Sequence, residues 1–200
     1  MLTVNTELVT ETVEVVTEPI TTVEAKAHLK VSISADDTLI DGIVTAARAN
    51  AEIHTARSFA QHTYCADITD FHDVVVLPHR PIQSITHIKY FNTDSPGTLT
   101  TVASSVYSLF ADRVYRNHGQ DWPTAWAIKP NAVQITYVTG YKDQSSPVGV
   151  GGSFPKPVKQ ALHLMIGDMY ENREAQFVVF NQIQANPTVR ALLDPYRVFL

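Results

Sequence analysis

The stretch that decides the fold lies near the start of the chain and reads TVEAKAHLKVSISADDTLI, residues 22–40. It is preceded by Thr21, and three residues after Thr21 comes Glu24, which together form a capping-box pattern. In such a pattern each of the two side chains accepts a hydrogen bond from a backbone N–H group at the helix start. The sequence therefore predicts a short helix over about residues 22–30.

A second, longer helix is predicted over about residues 37–57. Ser34, Asp36 and Asp37 offer caps for its first turn, because short polar side chains satisfy the free N–H groups there. A helix of this length spans roughly 30 Å, and its apolar stripe needs a partner, for which the helix predicted at 156–175 is the obvious choice. The stripe comprises Ile40, Ile43, Val44, Ala47 and Ala51, and the opposite side carries Asp41, Thr45, Arg48 and Glu52.

The middle of the chain, about residues 61–141, changes from helical spacing to strand spacing. The run at 132–138 alternates with a period of two, which suits a strand with one buried face. Residues 143–155 form a connector rich in Gly, Ser and Pro, and Pro157 then lies in the first turn of the helix at 156–175, where proline is tolerated. The buried face of that helix is predicted to comprise Val158, Ala161, Leu162, Met165 and Met169.

These patterns together predict an α+β protein. Its helical core has three main helices and a short C-terminal helix, and a small, mostly antiparallel β module is inserted between the helices. Residues 1–20 are rich in Thr, Val and Glu and are expected to form an extended arm that lies on its own core or on a neighbour. Residues 21–200 are expected to form a single domain, with the β-rich insertion at about 61–141.

The composition narrows the classes of function. The chain has 200 residues, a net charge of −5 and 44% hydrophobic residues, so it lacks the basic excess of a groove that grips nucleic acid. Cys65 is its one cysteine, which excludes an internal disulfide and suits a reducing compartment. No run approaches the roughly 20 apolar residues that span a bilayer, and no signal peptide is visible. We expect a protein made in the cytoplasm, with no membrane partner.

No catalytic, cofactor-binding or metal-binding motif is apparent in the sequence. The eight histidines include no His-Glu-x-x-His pattern, and His72, His79 and His87 have no recurrent ligand spacing. The Gly-rich run at 149–153 is interrupted by nearby prolines and lacks a suitably placed lysine, so a linker is favoured over a phosphate loop. The sequence predicts no enzyme, no cofactor and no metal. A small metal-dependent or hydrolytic enzyme stays as the alternative from another class, with His118 as a fourth histidine to test.

Three segments are candidates for contact with partners. Trp122 and Trp126 lie in a polar loop, where they either anchor a partner or plug the edge of the sheet. Glu171 and Arg173 lie at the end of a predicted helix. They form either a solvated face or an intersubunit rim of salt bridges. The apolar C-terminal segment must dock on its own core or on a neighbouring subunit, and its candidate residues are Leu192, Leu193, Tyr196, Arg197, Val198, Phe199 and Leu200.

From about residue 20 onward, the ordered set of motifs resembles the head–tail connector (adaptor, or head completion) proteins of tailed double-stranded DNA bacteriophages. The N-terminal arm and the Gly-rich segment at 149–153 depart from the family pattern. The motifs are EAKxHLKV from residue 24, DDxLI from 36, AARxxAE from 46, LPxxPIQSI from 77, PNAVxITYxxGY from 130, PxPVKQA from 155, YENRE from 170 and LLxPYR from 192.

The resemblance implies a virion protein rather than an enzyme. Family members form rings of about twelve subunits beneath the portal, and such rings close through repeated head-to-tail contacts. The implied partners are further copies of the chain, the portal protein, and stopper or tail proteins, while DNA passes through the lumen without specific binding. A stopper or tail-side completion protein, one layer lower in the neck, is the alternative within the same class.

Overall fold

The structure is a computed structural model, and it describes residues 8–13, 18–93, 97–125, 129–141, 154–172 and 187–198. It combines helices with antiparallel sheets, so the predicted α+β class is confirmed. The helices are α1 (Thr22–Leu29), α2 (Asp37–Thr55), α3 (Lys156–Glu171) and α4 (Pro187–Leu193). The strands are β1 (Leu8–Val13), β2 (His62–Ile68), β3 (Val74–Val76), β4 (Ile82–Phe91), β5 (Leu99–Thr101), β6 (Tyr107–Phe110), β7 (Arg113–Arg116) and β8 (Val133–Thr139).

Helix α1 begins at the predicted capping box. The Thr21 hydroxyl accepts from the Glu24 N–H at 3.2 Å, and the Glu24 carboxylate accepts from the Thr21 N–H at 3.2 Å. The helix ends at Lys30, whose backbone is left-handed with φ 57°. The predicted start of this helix is confirmed. The two capping residues, Thr21 and Glu24, are three positions apart, so their hydrogen bonds need no tertiary partner.

Helix α2 begins where the sequence predicted, but not by the predicted capping. Asp36 precedes the helix and its side chain makes no capping hydrogen bond. Its carboxylate instead accepts from the Tyr170 hydroxyl at 2.6 Å, so Asp36 ties the start of α2 to the end of α3. The helix ends at Ala56, which has a left-handed backbone with φ 53°.

The helical core forms where the apolar faces of α2 and α3 meet. The predicted stripe of α2 is buried except for Ile43, which is only partly buried. On α3, Ile166 is fully buried, whereas Met165 and Met169 lie at the margin of the core. Helix α4 closes the same core by contributing Leu193. None of the helices among the described residues combines the length and apolar character that a bilayer crossing requires.

The β module lies in the chain between α2 and α3 and, with β1, forms two antiparallel sheets. The larger has the strand order β1-β2-β8-β4-β5, and the smaller has the order β3-β7-β6. Strand β8 is central in the larger sheet and alternates strictly between buried and half-buried residues, as its sequence period predicted. The N-terminal segment contributes the edge strand β1, which pairs with β2.

Candidate assembly surfaces

The C-terminal segment docks on its own chain as far as Val198. Leu193 is 3% exposed and lies in the helical core. Beyond it, the Arg57 Nε donates to the Tyr196 carbonyl at 2.5 Å, and the Val198 N–H donates to the Thr55 carbonyl at 2.9 Å. Leu193 is therefore buried within its own chain. Of the two alternatives that the sequence left open, its own core or a neighbouring subunit, this residue follows the first.

The other candidate residues of this segment differ in what they leave accessible. Arg197 is exposed, while Leu192 and Tyr196 are half-buried against the helical core. Phe199 and Leu200 lie outside the described residues. Among the described candidate residues of this segment, Arg197 has the exposed side chain, and the assembly role of the segment stays a prediction.

Trp122 packs against the sheet module instead of projecting from a loop. Its ring stacks on Phe71 with centroids 4.8 Å apart and faces Tyr107 at 6.5 Å. Its indole N–H donates to the His72 carbonyl at 3.0 Å. These contacts favour the plug over the partner anchor. Trp126 lies outside the described residues.

The end of α3 carries one of the two residues for which the sequence left open a solvated face or an intersubunit salt-bridge rim. Glu171 is exposed at the last position of the helix, and Arg173 lies outside the described residues. An intersubunit rim at this position stays a prediction. Its exposed carboxylate near a helix C-terminus gains nothing from the helix dipole, which is compatible with a partner supplying the opposite charge.

An apolar groove of about 460 Å³ runs between α2, α3 and α4. Met165 and Met169, which the sequence assigned to the core, form part of its wall because α4 does not close the gap completely. Flexible thioether side chains suit a surface that adapts to what covers it. His54 bonds Asp194 at 2.9 Å at one end of the groove. The lining comprises Asn50, His54, Met165, Asp168, Met169, Val189, Arg190 and Leu193.

A buried polar network occupies the junction of α2 with the larger sheet. The sequence assigned Arg48 and Glu52 to the solvent side of α2, and this was wrong: Arg48 is 7% exposed. Its guanidinium bonds Glu18 at 2.7 Å and Glu52 at 2.6 Å. The reason is that Glu18, from the segment before α1, and His62, at the start of β2, reach this side of the helix and supply partners for its charges.

Glu52 is the centre of this network. Its carboxylate accepts from the Phe59 and Ala60 N–H groups at 2.6 and 3.1 Å, and it meets the His62 Nε2 at 3.1 Å. Burial raises the pKa of Glu52, but the hydrogen bonds and the charge of Arg48 outweigh it, so this pKa lies below its ordinary value. The network therefore holds a charged carboxylate inside the protein.

The network faces a cleft of about 530 Å³, at whose margin Ile53 is 80% exposed. His79 also lines this cleft and stacks on Tyr64 with ring centroids 4.3 Å apart. Burial lowers the pKa of His79, and the nearby His62 lowers it further. Sequence reasoning missed this site, since its members come from four separate segments and only Arg48 and Glu52 have a recognisable helical spacing.

The histidines form no metal centre in the part of the chain that the structure describes, where no group of three or more His, Cys, Asp or Glu side chains fits an ion. His72, His79, His87 and His118 are not brought together into such a group. Burial raises the pKa of the Cys65 thiol, which disfavours the nucleophilic thiolate.

Three chains from solved structures of gene transfer agent particles are similar to this chain in fold. A chain from the neck of the empty gene transfer agent particle, computed with C6 symmetry, matches with a TM-score of 0.69 and 21% identity. A chain from the virion of the native gene transfer agent particle matches with a TM-score of 0.71 and 22% identity. A chain from the neck of the native particle, computed with C12 symmetry, matches with a TM-score of 0.69 and 21% identity.

Each of these matches covers 96% of this chain and 96% of the other chain. At this level of identity the likeness is one of fold, and it extends over the helices and the sheet module together. No protein-family model and no curated protein matches the chain.

Proposed function

We propose that this chain is a structural protein of a phage or phage-like virion. It forms an oligomeric ring beneath the portal, joins the capsid to the tail and extends the DNA channel. The observation that carries the proposal is the likeness of fold, over 96% of both chains, to chains from gene transfer agent structures, two of them of the neck. The motif resemblance to head–tail connectors points to the same place in a particle.

Ring symmetry sets what the surface must provide. A ring closes through heterologous contacts, in which two different surfaces of one chain meet on neighbouring copies. The neck structures with the same fold were computed with C6 and C12 symmetry, which is compatible with about twelve copies. We assign the groove beside Met165 and Met169 and the segment around Arg197 as candidates for these two surfaces.

The charge of the chain fits a conduit. The net charge of −5 gives no general attraction for phosphate groups, and a neutral or acidic lumen lets DNA slide without being held. The role is structural, with no cofactor and no catalysis.

The decisive experiment is native mass measurement of the purified chain alone and after mixing with its portal protein. We expect a ring of about twelve copies, either alone or on the portal. A chain that stays monomeric and does not bind the portal would overturn the proposal. Binding only to a preformed portal–adaptor complex would assign the chain to the stopper layer instead.

Two further measurements sharpen the test. Arg197→Ala should weaken ring or portal assembly with the fold intact, while the exposed Lys156→Ala serves as a matched control that removes one positive charge elsewhere. Metal analysis of the purified chain tests the enzyme alternative. A stoichiometric metal that is lost when His72, His79, His87 and His118 are replaced by alanine would favour it.

A further inference from the structure

His62 lies where three elements meet, at the start of β2 and against both β1 and α2. Its Nδ1 is 2.7 Å from the Glu11 carboxylate, and its Nε2 is 3.1 Å from the Glu52 carboxylate. Carboxylates only accept hydrogen bonds when they are ionised, and an imidazole donates from both nitrogens only when it is protonated. The geometry therefore selects the imidazolium form of His62.

The groups around His62 favour the same charge state. Without its charge, three carboxylates of this network would share the single guanidinium of Arg48. Burial lowers the pKa of His62, but its hydrogen bonds to Glu52 and Glu11 and their charges outweigh burial, so this pKa lies above its ordinary value of 6.5. The titratable and charged groups that face it are Glu11 from β1, Arg48 and Glu52 from α2, Tyr64 from β2, and His79 from the segment after β3.

Strand β1 is held by few side-chain contacts, and the pair between Glu11 and His62 is one of them. It is an edge strand, paired on one side with β2. Thr10, Glu11 and Thr12 are exposed, and Val9 is half-buried against the sheet core. Within the described part of β1, the pair between Glu11 and His62 is the only ion pair. Its loss would leave the ladder, the Val9 contact and one hydrogen bond from Thr12.

We propose that His62 is a pH-sensitive clasp that fastens β1 to the junction between the larger sheet and α2. Because its folded pKa is raised, its stabilising effect is complete below the unfolded value and is lost as the pH rises through the folded pKa. Glu52 has a lowered pKa, so its effect is lost only as the pH falls through that low value. The clasp therefore holds at pH values below the ordinary pKa of 6.5 and releases as the pH rises through the folded pKa of His62.

Release of β1 has a structural consequence for β2. The outer backbone N–H and C=O groups of β2 between Thr63 and Asp67 would lose their partners and become an open strand edge. An open edge is able to pair with a strand from another chain, so the clasp controls the availability of a pairing surface. This device is independent of the proposed neck function, since it follows from contacts within one chain.

Hydrogen exchange of the full chain tests the clasp. The exchange of the β1 backbone amides is followed from about pH 5 to about pH 9, and each rate is divided by the intrinsic rate at that pH. We expect the protection of β1 to fall about tenfold as His62 loses its proton, while the central strand β8 shows no such step. An NMR titration of the His62 ring should give a pKa above 6.5.

Variants separate the clasp from general alkaline loosening. Glu11→Gln removes the charge of an exposed residue. The amides of β1 should then be weakly protected at every pH, and the pH-dependent step in their protection should vanish. Glu171→Gln, an exposed carboxylate on α3, should leave the step unchanged. Thr10 lies directly opposite Cys65 in the ladder, so Thr10→Cys oxidised to a disulfide with Cys65 should keep β1 protected at high pH until the bond is reduced.

Three results would overturn the inference. The first is protection of β1 that does not depend on pH in the unmodified chain. The second is a step that persists in Glu11→Gln, and the third is a His62 pKa at or below the ordinary value.

Discussion

Gly140 gives the sharpest test of the packing between the larger sheet and the segment that follows α2. It comes directly after β8 with φ +88°, and a Cβ atom placed there would lie 1.8 Å from the Ala60 carbonyl oxygen and 2.5 Å from its carbon. Both contacts are with backbone, so no change of rotamer relieves them. We predict that Gly140→Ala is strongly destabilising.

The expected cost follows from the displacement that a methyl group requires. To reach about 3.0 Å, the Ala60 backbone must retreat by roughly 1.2 Å, which disrupts the hydrogen bond from the Ala60 N–H to Glu52. A hydrogen bond to a charged group contributes about 1.5–3 kcal/mol, and a side chain in a left-handed backbone costs about 1–2 kcal/mol. The free energy of unfolding should therefore fall by about 2.5–5 kcal/mol.

The assay is urea unfolding followed by far-ultraviolet circular dichroism at one protein concentration. Gly42→Ala is the matched control, because Gly42 lies inside α2 and its Cβ would meet nothing within 4 Å. That substitution should raise the unfolding free energy by about 0.5–1 kcal/mol through helix propensity. A Gly140→Ala variant within about 1 kcal/mol of the unmodified protein would refute the close approach of the two backbones.

Three further predictions concern stability. Leu193→Ala removes a buried side chain from the helical core and should lower the unfolding free energy by about 2–4 kcal/mol in the same titration; a negligible loss would mean that this segment is not docked. Trp122→Phe loses the hydrogen bond to the His72 carbonyl and should cost about 1 kcal/mol, seen as a fall in Tm that should be absent if the indole N–H is solvated. Burial and then the charge of His28 lower the pKa of His163, so its contribution is present above about pH 6.5 and is lost as the pH falls through the folded pKa. Thermal unfolding of His163→Gln should accordingly depend less on pH in that acidic range, and an unchanged dependence would contradict the assignment.

The parts of the fold that the sequence predicted depend on short-range signals. The capping box at Thr21 and Glu24 involves residues three apart, and the stripe of α2 repeats within one helix. The period of β8 reports one buried face. In each case the residues that form the pattern lie within or beside the element that they predict, so spacing alone was sufficient.

The polar network could not be predicted in the same way. Arg48 and Glu52 have the spacing of a solvated i,i+4 pair, and nothing local distinguishes them from one. They are buried because Glu18 and His62 reach them from segments 30 and 10 residues away in the chain. Burial of a charge is favourable only when such partners are present, and the fold, rather than the local sequence, brings them.

The candidate surfaces were likewise predicted only in part from the sequence. The sequence identified an apolar C-terminal segment that must dock, but it left open where, and the answer depends on the carbonyl of Thr55 and the guanidinium of Arg57. It assigned Met165 and Met169 to the core by helical spacing. They lie beside a groove because α4 covers α3 only in part. The spacing of residues within α3 gives no information about where α4 packs.

The C-terminal half of α2, together with Arg57 just beyond it, anchors both end segments of the described chain. Glu18 is held by Arg48, while the backbone at Tyr196 and Val198 is held by Arg57 and Thr55. Tension applied to the C-terminal segment would thus reach this helix first, whereas tension on the N-terminal segment would be shared between the helix, through Glu18, and the larger sheet, through β1.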